Sequence, residues 1–195
     1  MLPVGGWEQM HNHPMFHKIR YMVDDAAYWA RQRPRGGTLV ELKSNRKYSI
    51  FGDQFEVELG ELMQQPDWAT DPNIRCLNTN YGCPKQPDFV CPYRPELDFE
   101  LKTSAEEHGD IRCGGKSHVK KKPCYYIHVR YDRRTFRVNS VRMGWVRPED
   151  WTPSHTWLKV SCRRKFVEIY NDDPMWLLVD AAQRRRITKK RRALR

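Results

Sequence analysis

Two carboxylates and one amine near the middle of the chain have the chemistry of a metal-dependent hydrolase. Glu100 and Lys102 lie two positions apart, so in a β-strand their side chains would share one face. Phe99 and Leu101 would share the opposite face and bury into a core. Asp88 lies twelve positions before Glu100, across a segment with two prolines, which is enough chain to double back. We therefore expect the three polar side chains to meet in one cleft.

Such a cluster suits the hydrolysis of a phosphodiester. Asp88 and Glu100 would hold Mg²⁺ through carboxylate oxygens, with the main-chain carbonyl of Leu101 as a further ligand. The ion would polarise the scissile phosphate and lower the pKa of a bound water. Lys102 would orient that water or take its proton, and would offset charge on the phosphorus. The predicted catalytic residues are therefore Asp88, Glu100 and Lys102.

Three features leave alternatives open. Asp98 lies on the same predicted strand face and could replace Asp88 as metal ligand, although a ligand from a neighbouring segment approaches a metal from a different direction. A second Glu-x-Lys copy at 41–43 has nearby upstream acids only on a predicted helix, so we discount it as a cutting centre. The face formed by 98–102 could also be an exposed surface with ion pairs of small energetic value.

A Pro-Asp pair at 87–88, eleven residues, and then Glu-Leu-Lys at 100–102 resemble the PD-(D/E)xK signature of restriction-type nucleases. The segment 123–151 resembles the part that follows the ExK strand in several type II restriction endonucleases. The resemblance implies a restriction-endonuclease-like fold, with a central mixed β-sheet flanked by helices. It also implies Mg²⁺-dependent cleavage of double-stranded DNA by a homodimer at a palindromic site.

The elements around this centre predict an α/β domain. Apolar residues spaced three and four apart predict a helix at 16–31. Short strands are expected at 38–42 and 47–51, whereas 55–63 is ambiguous between strand and helix. The strand that carries the cluster is expected at 96–103.

Further strands follow the cluster. Segments 125–131 and 135–146 predict a hairpin, and 157–170 predicts another strand pair or a strand with a bulge. A short helix is expected at 174–183, where Pro opens the first turn. This order favours a single domain at 1–183 built on a mixed sheet.

Basic residues are the expected contacts to DNA. The net charge is +11, and residues 184–195 form a basic tail with eight Lys or Arg and no acid, which suits an arm for phosphate backbones. A solvated, disordered end would have the same composition. The loop 104–122 directly follows the cutting strand, and we expect its Lys residues to favour phosphates. The predicted DNA-contacting residues in this loop are Arg112, Lys116, Ser117, His118, Lys120, Lys121 and Lys122.

Residues 64–95 form a long irregular segment rich in Cys and Pro. A structural Zn²⁺ site would stiffen such a segment, but the cysteine spacing is not CxxC, and buried free thiols are preferred. The candidate zinc ligands are Cys76, Cys83, Cys91 and Cys113, with Cys124 as a fifth nearby thiol.

The ends of the chain suggest no targeting segment. No basic region followed by an apolar stretch opens the sequence, and the longest apolar run, 175–179, is too short to cross a bilayer. The histidines at 11, 13 and 17 are interpreted as polar terminal sequence rather than as metal ligands. We expect a cytoplasmic protein of bacterial or viral origin, without a membrane partner.

These observations together predict a type II restriction enzyme of a restriction-modification system. One alternative keeps the same centre but selects DNA shape, as a junction resolvase or repair nuclease does. Another alternative is a non-catalytic, zinc-stabilised nucleic-acid-binding protein, which would need no Mg²⁺.

Overall fold

The structure is a computed structural model, and the residues that it describes are 13–32, 46–64, 75–76, 86–91, 93–105, 111–113, 120, 122–153, 158–160 and 166–171. The elements predicted at 38–42 and 174–183, the Glu-x-Lys copy at 41–43 and the basic tail lie outside these residues.

The first helix, α1, spans Pro14–Gln32 and confirms the helix predicted at 16–31. Its buried residues recur every three or four positions, as expected of a helix that packs on one side. The buried face consists of Met15, Phe16, Ile19, Met22, Val23, Ala26, Ala27 and Ala30.

The second helix, α2, spans Arg46–Gln64, so the strand predicted at 47–51 is wrong and the ambiguous segment 55–63 is helical. Phe51, Phe55 and Leu59 are fully buried at four-residue spacing, so one apolar stripe runs through both segments. Gly52 and Asp53 divide that stripe into two short pieces in the sequence. Each piece is too short to distinguish a helix from a strand by its own pattern. Packing against the rest of the protein therefore determines that this segment is helical.

Nine strands are assigned within the described residues. In chain order they are β1 (Arg75–Cys76), β2 (Phe89–Val90), β3 (Phe99–Ala105), β4 (Ile111–Cys113), β5 (Cys124–Tyr131), β6 (Val138–Val146), β7 (Trp151–Pro153), β8 (Leu158–Val160) and β9 (Phe166–Asn171). The larger sheet has the order β1-β2-β3-β5-β6-β9, in which β3 and β5 are parallel and the other neighbours are antiparallel. The predicted mixed sheet of an α/β domain is confirmed.

The hairpin predicted at 125–131 and 135–146 is confirmed by the antiparallel pairing of β5 with β6. Its turn is organised by Asp132, whose Oδ1 accepts hydrogen bonds from the amides of Arg134 at 3.0 Å and Thr135 at 2.6 Å. A short polar side chain that accepts hydrogen bonds from backbone amides two or three residues later in the chain is typical of tight turns.

The strands within 157–170 do not pair with each other. β8 lies between β4 and β7 in a small antiparallel sheet, whereas β9 is added to the larger sheet beside β6. The strand-pair prediction therefore located two strands correctly but not their partners.

The two faces of the larger sheet are covered differently. Both helices pack on one face, where their apolar residues form a single cluster with Leu101 and Met143. The opposite face carries a smaller apolar cluster that includes Tyr126. Glu100 and Lys102 alternate with Leu101 along β3, so they lie on the face away from the helices. Among the described residues, no helix has the length and apolar character needed to cross a bilayer.

The histidine at position 13 is part of the core, so its interpretation as polar terminal sequence is wrong. His13 is 1% exposed, and its Nε2–H donates to the carbonyl of Leu97 at 2.9 Å. Its Nδ1 accepts the amide of Met15 at 3.1 Å. The ring also packs edge-on against Phe99 and Tyr125. A neutral imidazole therefore fastens the start of α1 to the turn that leads into β3.

A glycine sets the distance between α2 and β3. A Cβ atom on Gly52 would lie 2.6 Å from Oγ1 of Thr103, which is closer than such atoms approach. At an unconstrained helix position, alanine would stabilise the fold by about 1 kcal/mol relative to glycine. Here we expect Gly52→Ala to lower the free energy of unfolding by about 1–3 kcal/mol, because α2 must shift from the sheet. Urea unfolding measures this difference.

Thr103→Ala provides the matched test of that clash. It removes Oγ1, and the nearest remaining side-chain atom, the Cβ of Thr103, lies 3.8 Å from the added methyl group. The double variant Gly52→Ala/Thr103→Ala should therefore recover most of the stability lost in Gly52→Ala. The same loss from Gly52→Ala with and without Thr103 would show that the contact is not the cause.

The buried imidazole also predicts sensitivity to acid. The pKa of His13 is lowered from 6.5 to about 4, chiefly by burial, with a smaller contribution from the charge of Arg94, and the hydrogen bond to Leu97 offsets only part of this. Between pH 6.5 and about 4, His13 is protonated in the unfolded chain but neutral in the folded protein. The free energy of unfolding therefore falls as the pH drops through this range. The full effect is about 3 kcal/mol. Urea unfolding at several pH values should show a shallower dependence in His13→Gln; an unchanged dependence would contradict this role.

Candidate active site

The antiparallel pair of β2 and β3 brings Asp88 to Glu100. Phe89 and Phe99 are partners in the register, and their rings stack with centroids 4.4 Å apart. Asp88 precedes Phe89, and its amide donates to Glu100 Oε2 at 3.1 Å. In return, the amide of Leu101 donates to Asp88 Oδ2 at 2.9 Å. The two acids predicted from the sequence therefore lie together, and the backbone of Leu101 belongs to the same site.

Two lysines neutralise the acids. The ammonium of Lys102 makes a short ion pair with Glu100 Oε1 and lies 3.9 Å from Asp88 Oδ2. A second ammonium, that of Lys120, lies 2.9 Å from Glu100 Oε2. The Glu100 side chain is only 2% exposed, so these cations and the Asp88 amide are what allow it to remain charged inside the protein.

The charges in the site shift one another's protonation. Burial alone would raise the pKa of Glu100, but the charges and hydrogen bonds of Lys102 and Lys120 outweigh burial and lower it. Burial alone would lower the pKa of Lys102, but the negative charges of Glu100 and Asp88 raise it, and Glu56 on α2 adds to the effect. Glu100 is therefore an anion and Lys102 a cation in this arrangement.

Asp88 is the acid that takes up a proton more easily. Burial raises the pKa of its carboxyl group, and the adjacent negative charge of Glu100 raises it as well. The charges of Lys102 and Lys120 lower it without offsetting burial completely. The positive charges around Asp88 therefore stabilise its ionised form less than those around Glu100 do. A further cation bound beside Asp88 would stabilise its carboxylate.

Asp98 precedes β3, contrary to the expected strand from 96, and its carboxylate has its own backbone partner. A 3₁₀ turn at Pro95–Leu97 delays the start of β3 to Phe99. The carboxylate of Asp98 accepts a hydrogen bond at 2.8 Å from the amide of Cys91, which directly follows β2. The geometry therefore favours Asp88 over Asp98 as the partner of Glu100.

The predicted DNA-contacting residues are placed differently from one another. Arg112 in β4 and Lys122 before β5 are exposed. Lys120 is 6% exposed and directed to Glu100, so its amine lies in the site rather than on a phosphate-binding surface. The other residues of the set, Lys116, Ser117, His118 and Lys121, lie outside the described residues.

Lys120 was expected on a DNA-contacting surface but pairs with Glu100, and Glu56 was not among the predicted site residues. A signal for Lys120 was present, because the Lys run ends just before β5 and β5 is the parallel neighbour of β3. Parallel strands start at the same edge of a sheet, so the residues before β5 lie near the start of β3. Glu56 gives no comparable signal, since its segment was ambiguous between strand and helix.

A buried histidine continues the polar face beyond Lys102. His128 is the register partner of Lys102, and its Nδ1 accepts a hydrogen bond from the guanidinium of Arg142 at 2.8 Å. Burial, together with the charges of Arg142 and Arg130, lowers the pKa of His128 to about 3. The neutral ring therefore carries its proton on Nε2 and donates it to the hydroxyl of Ser104 at 2.6 Å.

The proposed zinc ligands are mostly beyond what the structure describes. Cys91 is a buried free thiol, and the side chains of Cys76, Cys83 and Cys113 lie outside the described residues. Cys124 is also a buried free thiol, and burial next to the charge of Glu100 raises its pKa. Within the described part of the chain, no three His, Cys, Asp or Glu side chains gather as a metal site.

The donor set nevertheless suits Mg²⁺. This ion commonly binds one or two protein carboxylates, keeps several waters and takes further oxygens from a phosphate substrate. Asp88 and Glu100 supply the two carboxylates, and the Lys102 ammonium lies between them where a cation is stabilised. Zn²⁺ would favour thiolates and imidazoles, and among the described side chains none gathers with this pair of acids as a metal site.

The roles of the two aspartates can be separated by measurement. Asp98→Ala leaves the Cys91 amide without its acceptor, so we expect a loss of about 1 kcal/mol in unfolding free energy. It should leave the affinity for Mn²⁺, used as a paramagnetic substitute for Mg²⁺, unchanged. Asp88→Ala should weaken Mn²⁺ binding by at least about tenfold. The opposite pattern would assign the metal to Asp98.

Comparison with known proteins adds no assignment. No protein-family model matches the chain, and neither a curated protein nor a solved structure matches it.

Proposed function

We propose that this chain is a Mg²⁺-dependent endonuclease of the PD-(D/E)xK type that hydrolyses double-stranded DNA. The observation that supports this most strongly is the meeting of Asp88 with Glu100. They are twelve positions apart, yet the Asp88 amide donates to the Glu100 carboxylate and the Leu101 amide donates to the Asp88 carboxylate, so the two acids are held together beside Lys102. The arrangement places two hard oxygen ligands and one cation at a single point, as phosphodiester hydrolysis requires.

Each side chain has a defined task in this proposal. Asp88 and Glu100 hold the ion, and the backbone of Leu101 fixes the direction of the Asp88 carboxylate. Mg²⁺ bound there supplies the Lewis acid that polarises the scissile phosphate and acidifies a water. Lys102, whose raised pKa keeps it protonated, orients that water and offsets charge on the phosphate.

Double-stranded DNA as the substrate is supported by charge. The basic tail at 184–195 and the exposed Arg112 and Lys122 offer cations for phosphates. A homodimer that cuts a palindromic site, as in type II restriction enzymes, is the form of the proposal that the signature favours. A nuclease that selects branched DNA would use the same centre.

Cleavage of plasmid DNA tests the proposal. Glu100→Gln removes the charge that binds the ion and should abolish Mg²⁺-dependent cutting. Lys102→Ala should lower the rate by at least about 10²-fold, since it removes a positioned group that assists the attacking water. Glu96→Gln is the matched control, because Glu96 is exposed and pairs with Arg94 at 3.0 Å outside the site. It should cut like the wild type.

The products separate the remaining possibilities. Discrete fragments from plasmid DNA support a site-specific enzyme, whereas cutting restricted to branched substrates supports a structure-selective nuclease. Cutting that persists in both Glu100→Gln and Lys102→Ala would remove this centre from consideration. Stoichiometric zinc without any cutting in Mg²⁺ would favour a binding protein instead.

A further inference from the structure

The two oxygens of Glu100 have different surroundings. Oε2 accepts hydrogen bonds from the Lys120 ammonium at 2.9 Å and from the Asp88 amide at 3.1 Å. Oε1 is paired with the ammonium of Lys102. A carboxylate oxygen has two lone-pair positions, so two donors already occupy both positions of Oε2. The oxygen that remains for a metal ion is therefore Oε1.

The two lysines differ in how readily they can leave. The side chain of Lys102 is 32% exposed, and its amine can turn toward solvent or substrate when another cation arrives. The side chain of Lys120 is 7% exposed and is held against the buried Oε2. Removing Lys120 would leave a buried carboxylate oxygen without its main partner, which is costly. An arriving metal ion would therefore displace Lys102 and leave Lys120 in place.

The position of Lys102 supports the same order of events. Its ammonium lies between Glu100 Oε1 and Asp88 Oδ2, the gap that a cation shared by both acids would occupy. Lys120 is bound to the opposite oxygen of Glu100. Lys102 therefore occupies the position of the ion, and Lys120 limits Glu100 to one oxygen for binding it.

We infer that Lys120 makes Glu100 a one-oxygen ligand and thereby sets a preference of this site for Mg²⁺ over Ca²⁺. Ca²⁺ takes six to eight oxygens and gains from carboxylates that bind through both oxygens. Mg²⁺ requires a near-octahedral shell and uses carboxylates through one oxygen each. Blocking Oε2 removes no oxygen that Mg²⁺ would use, but it denies Ca²⁺ a ligand. This inference rests on the proposed metal site at Asp88 and Glu100.

Metal affinities of a Lys120 variant test the inference. Mg²⁺ and Ca²⁺ would each compete with Mn²⁺, followed by electron paramagnetic resonance, in the full-length wild type, Lys120→Met and Lys120→Arg. Loss of the positive charge in Lys120→Met should strengthen binding of both ions. Because Oε2 also becomes available, the ratio of Ca²⁺ to Mg²⁺ affinity should rise by about tenfold. Lys120→Arg keeps a charged donor and should retain the wild-type ratio.

Lys122→Met is the matched control, since Lys122 is an exposed lysine two positions away. It should leave the ratio unchanged. An equal gain for both ions in Lys120→Met would overturn the inference and leave the metal site itself intact. Absence of binding by either ion in the wild type would instead overturn the proposed function.

If Lys120→Met fails to fold, a metal-bound crystal structure of the wild type tests whether Glu100 binds the ion through one oxygen. With Mn²⁺ in the site, Glu100 should bind the ion through Oε1 alone while the Lys120 ammonium stays on Oε2. Glu100 bound through both oxygens, or Lys120 displaced, would overturn the inference.

Discussion

A carboxylate with almost no access to water organises this protein. Glu100 is 1% exposed, and a buried charge costs several kcal/mol unless donors surround it. Three segments supply those donors: the residue before β2, β3 itself, and the segment that leads into β5. The charge is tolerated only when all three segments are in place, so the same requirement that shapes the candidate site also holds these parts of the fold together.

Strand pairing in the larger sheet brings these donors to Glu100. Antiparallel pairing of β2 with β3 sets the residue before Phe89 opposite Glu100. Parallel pairing of β3 with β5 brings the approach to β5 to the same edge, which is how a lysine twenty positions later reaches the same carboxylate. On the far side, α1 and α2 bury the alternate residues of β3, so within the described residues the two helices lie on the face opposite Glu100 and Lys102.

Local alternation and spacing were enough to predict part of this arrangement. Glu100 and Lys102 were predicted on one face because side chains in a strand alternate, and Asp88 was predicted beside them because the intervening chain can double back. Asp98 was expected within the strand but precedes it, because a 3₁₀ turn at Pro95–Leu97 delays the start of β3, and alternation does not report the backbone contacts that set such boundaries. The environments of His13 and Lys120 depend on partners 84 and 20 positions away, and no local pattern contains that information.

The helices precede every strand that they cover. During synthesis, α1 and α2 therefore leave the ribosome before β3, β5 and β6 exist, and their apolar faces have no sheet to pack on. The native contacts between α1 and α2 give these faces a partial partner in the meantime. The apolar faces of the helices therefore become one wall of a closed core only when the strands have been made.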